Sequence, residues 1–228
     1  MTTDFETDRP QIPAPSTGAL NGVRTALWVA LAGSVIFWIG LPFPVVTDFF
    51  ESETTAERLA LVNGERTQFA VAFGLLGLGA AVAGVGLWLL GRAIAPMEAE
   101  RGRRRGRAAQ IAGWLGLLGV LMGVSRLLHA VFATPEYMEG GDNIVDPVAG
   151  VIGGLGTSVA LIILGVLAWS APPPKWTAVV LVLGGVAAAV TFLPLFWYFA
   201  LIVFAIANLI VMRRRATSPG ATATTPSA

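Results

Sequence analysis

Cysteine is absent from this chain, and histidine and lysine occur once each, as His129 and Lys175. Without cysteine there is no disulfide framework, no thiol nucleophile, no iron–sulfur ligand set and no thiolate zinc site. One histidine excludes a bis-histidine haem or a histidine-rich metal centre built from a single chain. Charge is the third scarcity. Only 13% of the 228 residues are charged, against 55% apolar, whereas a soluble domain carries about a quarter charged residues. With a mean hydropathy of +0.72, soluble enzyme folds, nucleic-acid-binding modules and disordered scaffolds are excluded. An integral membrane protein remains.

What is present is a succession of apolar runs, at 24–45, 68–94, 109–132, 147–171, 176–193 and 195–212. The first four reach the roughly 20 residues needed to cross about 30 Å of hydrocarbon, and the last two are at the short end of that range. A single helix over 176–212 would be about 55 Å long, so a hairpin broken at Pro194 is the expectation. Phe192, Phe196, Trp197, Tyr198 and Phe199 cluster at that turn, as an interfacial belt does. The first run begins only after Arg24 and is too long for the core of a secretory signal, so it reads as an uncleaved span. Residues 1–23, acidic and proline-rich, and 213–228, rich in Thr, Ser, Pro and Ala, read as disordered tails flanking a bundle over 24–212.

The distribution of arginine sets an orientation. With six spans, one side holds Arg9, Arg24, Arg92, Arg101, Arg103, Arg104, Arg105, Arg107, Lys175 and Arg213, Arg214 and Arg215. The other side holds Arg58 and Arg66 among acids that include Asp48, Glu51, Glu57, Glu136, Glu139, Asp142 and Asp146. Basic residues favour the cytoplasmic face. The sequence therefore predicts an all-α, polytopic protein of the cytoplasmic membrane with six transmembrane helices and both termini inside. Five spans would strand Arg213, Arg214 and Arg215 outside.

Away from the cytoplasmic ends of the apolar runs, where Arg24 and Arg92 stand, the charged or titratable candidates are Arg126 and His129, three residues apart in the third run. Such groups are expensive in a membrane and mark a functional or structural site. Arg126 lies about 25 Å into a core of about 30 Å, counted from residue 109. A long arginine snorkels to the outer interface from there, or pairs with an outer acid. Asp146, directly before Pro147 at the start of the fourth span, is the expected partner. The cluster Arg101, Arg103, Arg104, Arg105 and Arg107 has no interleaved aromatics and no domain to present it to nucleic acid. It reads as a topogenic signal that also touches anionic lipid.

Glycines at 119, 123, 150 and 154 recur four apart, the spacing that lets helix backbones approach. They are expected at helix contacts, within one bundle or in a homo-oligomer or membrane complex. Outside the spans, Thr54-x-x-Glu57 forms the pattern of a capping box, and Asn63-Gly64 that of a helix stop, so a short helix is expected over 55–62. No phosphate-binding lysine loop, no HExxH and no paired intramembrane carboxylates are present. The functional expectation is a non-enzymatic structural or accessory membrane component, with no cofactor. The alternatives are a small transporter or channel subunit with an outer vestibule at Arg126 and His129, and a lipid-acting enzyme using His129 as base.

Overall fold

The structure, a computed structural model, describes residues 17–132, 148–169, 175–191 and 193–217. Among these every regular element is helical. Pro172, Pro173 and Pro174, between the fourth and fifth apolar runs, the acids Glu136, Glu139, Asp142 and Asp146, and the tail residues 1–16 and 218–228 lie outside the described residues.

Helix α1 (Thr17–Gly40) includes residues 17–23, which the sequence places in the tail. It stops before Pro42, whose ring disfavours helical backbone in the preceding residue. Two short helices follow. Helix α2 (Pro44–Glu51) opens on proline, which suits a first helical position, and buries Val45, Val46 and Phe49. Helix α3 (Thr55–Gly64) carries the expected capping box: Glu57 N–H donates to Thr54 Oγ1 at 3.2 Å, and Glu57 Oε2 accepts from Thr54 N–H at 3.2 Å.

Helix α4 (Arg66–Glu100) is longer than its apolar run at both ends and continues through Pro96. At 1.5 Å per residue it is about 52 Å long, more than a bilayer core. The expected arginine loop is thereby reduced to a tight turn at Arg101 and Gly102, and Arg103 already belongs to α5 (Arg103–Leu117). Gly102 makes the reversal at φ 152°, a backbone region that side chains disfavour. After one tight turn at Leu118, bonded i to i+3, the chain resumes as α6 (Gly119–Phe132). Glycines at 113, 116 and 119 weaken the helix there, while α4 presses against them: a Cβ on Gly84 would lie 3.1 Å from the Gly116 carbonyl oxygen.

The next span begins as a π-turn (Ala149–Gly153) and continues as α7 (Gly154–Trp169). The Thr157 hydroxyl donates to the Gly153 carbonyl at 2.8 Å, a back-bond to the preceding turn that satisfies this buried hydroxyl. Helices α8 (Lys175–Thr191) and α9 (Leu195–Thr217) form a hairpin that reverses at Pro194. Helix α9 runs past the expected boundary at 212, so residues 213–217 are helical.

Each long helix runs antiparallel to the next in the chain, as the contacts show. Ala30 meets Gly86 and Gly22 meets Ala93 between α1 and α4; Gly91 meets Gly113 and Gly77 meets Gly123 between α4 and α5–α6. Gly156 meets Leu118, Gly165 meets Ala178, and Gly184 meets Ala200 through the remaining pairs. Helix α9 closes back on α1, where Phe37 and Tyr198 stack with ring centroids 3.8 Å apart.

Five helical rods are long and apolar enough to cross a membrane: α1, α4, α5 with α6, the π-turn with α7, and α9; α8, at 17 residues, is a shorter apolar helix. The outer surface carries Trp28, Ile39, Trp114, Val131, Val166, Leu183 and Val190, all more than half exposed. Buried positions include Ser34, Thr157, Ser158 and Thr177 beside many alanines. Large apolar groups facing outward, with small and hydroxylated residues placed among the buried leucines and phenylalanines, is an arrangement that suits lipid.

Candidate functional site

Helix α6 places Arg126 and His129 on adjacent faces, and the two separate. His129 is buried, and its Nδ1 donates to the Ser125 carbonyl at 3.0 Å. A carbonyl only accepts, so Nδ1 carries the proton. The ring sits 6.2 Å from Phe49 and 6.1 Å from Phe73, centroid to centroid, in an aromatic cluster that includes Phe69. Arg126 is half-buried, and its guanidinium lies 5.3 Å over the ring of Phe50. The adjacent phenylalanines of the small helix α2 thus cover one member of the pair each.

Arg126, and not His129, borders a cavity of about 220 Å³ at the end of the bundle opposite the arginine-rich turn. Met122 and Arg126 come from α6, Gly150 and Val151 from the π-turn, and Gly154 and Leu155 from α7. Ala188, Pro194 and Trp197 close the far side. Trp197 is held in place by its indole Nε1, which donates to the buried Ser158 hydroxyl at 2.8 Å. Gly154 makes that docking possible, because a Cβ there would lie 3.3 Å from the indole. The cavity is therefore a mostly apolar recess with one cation at its edge.

Of the four glycines singled out by spacing, three lie against a neighbour. A Cβ on Gly119 would stand 3.0 Å from Thr157 Oγ1, one on Gly123 2.6 Å from the Gly77 carbonyl oxygen, and one on Gly154 against Trp197. Gly150 differs: it is exposed, a Cβ there would meet nothing within 4 Å among the described residues, and it borders the cavity. The expected partner of Arg126, Asp146, lies outside the described residues.

A second polar site was hidden in the sequence. Glu98, in the last turn of α4, is buried, and its carboxylate accepts from Arg101 Nη1 and from Arg105 Nε, each at 2.6 Å. Arg105 also donates to the Leu167 carbonyl of α7 at 3.3 Å. One carboxylate thereby ties the α4–α5 turn to the end of α7. The i, i+3 and i+7 spacing of 98, 101 and 105 was the available signal, and an apparent loop masked it. This divides the arginine cluster: Arg101 and Arg105 are spent on Glu98, while Arg103, Arg104 and Arg107 are exposed. No family of known proteins, no curated protein and no solved structure matches the chain.

Proposed function

We propose that the chain is a six-pass protein of the cytoplasmic membrane, with both termini inside, that serves as a structural or accessory membrane component. The antiparallel order supports the count. It brings Gly18, the Arg101–Gly102 turn, Lys175 and Arg213 to one end of the bundle. That end is the one the distribution of basic residues assigns to the cytoplasm. Helix α8, about 25 Å long, spans most of a bilayer core once its polar ends are drawn into the interface. Arg103, Arg104 and Arg107 are then placed to meet anionic headgroups on that face.

The observation that carries the functional reading is backbone-to-backbone packing along the centre of the bundle. Cβ atoms on Gly33, Gly79 and Gly86 would strike α1 or α4 backbone, and those on Gly91, Gly77 and Gly123 would strike the α4–α5–α6 seam. Helices locked at that distance leave no room for a passage between them, and they suit a rigid element that works through its lateral surfaces in a complex. The transporter reading draws on the cavity at Arg126, which is shallow and lies near one end. The enzyme reading draws on His129, which is enclosed by Phe49 and Phe73 and does not border the cavity. Scattering-based mass measurement after mild extraction tests the proposal. A complex heavier than one chain, with no solute flux in proteoliposomes, is expected. A single chain that conducts ions or solutes overturns it.

A further inference from the structure

We infer that the cavity beside Arg126 is a binding site for an anionic amphiphile, with its phosphate or carboxylate head on the guanidinium and its hydrocarbon chain in the recess. This inference rests on the membrane reading and is independent of the scaffold role.

Three observations converge. Arg126 is half-buried at the edge of the cavity and keeps its charge at any accessible pH. Its fork offers five N–H donors, so an interaction on one edge leaves others for a second anion. Phe50 backs the guanidinium at 5.3 Å, which sustains the cation without neutralising it.

The recess has the matching chemistry for a chain. Met122, Val151, Leu155 and Trp197 supply apolar walls, and Gly150 adds no side chain to the lining. Its volume of about 220 Å³ compares with roughly 150 Å³ for an apolar cavity that accepts benzene, so a short length of chain fits. Trp197 is preorganised by Ser158, and the wall pays no rotamer entropy when a ligand arrives. The π-turn that shapes this wall is a helix distortion found frequently at functional sites. The cavity lies toward the end of the bundle where lipid phosphates meet the hydrocarbon, so head and tail would find their places together.

The test uses the full chain, purified in neutral maltoside detergent and stripped of lipid. Phosphatidylglycerol, phosphatidylcholine and inorganic phosphate are added separately. Native mass spectrometry counts bound lipid, and the melting temperature reports stabilisation. Phosphatidylglycerol is expected to bind and to raise the melting temperature, with neither phosphatidylcholine nor inorganic phosphate matching it. Arg126→Gln should weaken that binding at least tenfold, and Leu155→Trp, which fills the recess from an exposed position, should do the same. Arg104→Gln, at the opposite end, should leave this Arg126-dependent component in place. Wild-type binding in both Arg126→Gln and Leu155→Trp overturns the site. Equal stabilisation by inorganic phosphate would make it a free-anion site, and equal binding of phosphatidylcholine would remove charge recognition; either result overturns the amphiphile. If Arg126→Gln does not fold, Leu155→Trp decides, since it leaves the charge intact.

Discussion

Glu98 and Arg105, seven residues apart on either side of a helix reversal, share a 2.6 Å hydrogen bond from Arg105 Nε to Glu98 Oε2. The carboxylate is buried while the guanidinium is about a third exposed, so the two partners differ in what they lose when separated. An arginine released here reaches water. A carboxylate left in place without its donors does not.

That asymmetry predicts that Arg105→Ala destabilises the protein by about 2 kcal/mol, in the range for hydrogen bonds to charged groups. Glu98→Gln, which keeps shape and removes charge, should cost less. A double-mutant cycle read by denaturant unfolding in detergent should show coupling between the two positions. Additive effects would show that the bridge contributes nothing.

Leucine at Gly123 is expected to destabilise by about 1–3 kcal/mol or prevent folding, since even a Cβ would intrude on the Gly77 carbonyl. Alanine at Gly150, where a Cβ would meet nothing within 4 Å among the described residues, should be neutral within about 0.5 kcal/mol. Melting temperatures of the two variants, side by side, check the contrast. Equal loss in both would place Gly150 at a helix contact after all.

Ser158→Ala strips the acceptor from the buried indole of Trp197, and the orphaned donor should cost about 1–3 kcal/mol. Trp197→Phe in the same background should add little in hydrogen bonding, because the donor is then gone as well. Unfolding free energies of both single variants and the double variant test this.

Reporter fusions after Arg107 and after Arg215 should give the same cytoplasmic signal. The motivation is the shared end of the bundle at which α4 meets α5 and α9 terminates. Opposite signals would mean that one of the helices, most directly the short α8, does not cross.

Arg126→Leu should leave the fold largely intact, because removing a charge is less costly than leaving one unpaired. Arg126→Glu, beside the face of Phe50, should be worse, since a carboxylate is repelled by the ring's negative face. If Asp146 is the partner, Asp146→Arg should recover part of that loss. Comparative melting of the three variants measures it.

What the sequence determined by itself were properties that depend on neighbours along the chain. Apolar runs longer than a membrane is thick force helices, because lipid satisfies no backbone hydrogen bonds. Thr54 and Glu57 cap a helix because both groups lie within one turn of the backbone they serve. Arg126 and His129 stood out because charge in an apolar run is costly wherever the helix packs. Tertiary structure decided everything that turns on which face meets which neighbour. Glu98 lies beyond the second apolar run, and it meets Arg105 only because α4 runs on through Pro96 and the chain then reverses at Gly102. Gly150 and Gly154 share one spacing motif and border one cavity, yet among the described residues only Gly154 lies against a neighbour, the indole of Trp197. His129 and Arg126 differ by three residues, which is enough of a rotation for one to be enclosed by Phe49 and Phe73 and the other to border a cavity. Spacing limits the faces available to a residue; only the packing of the other helices selects among them.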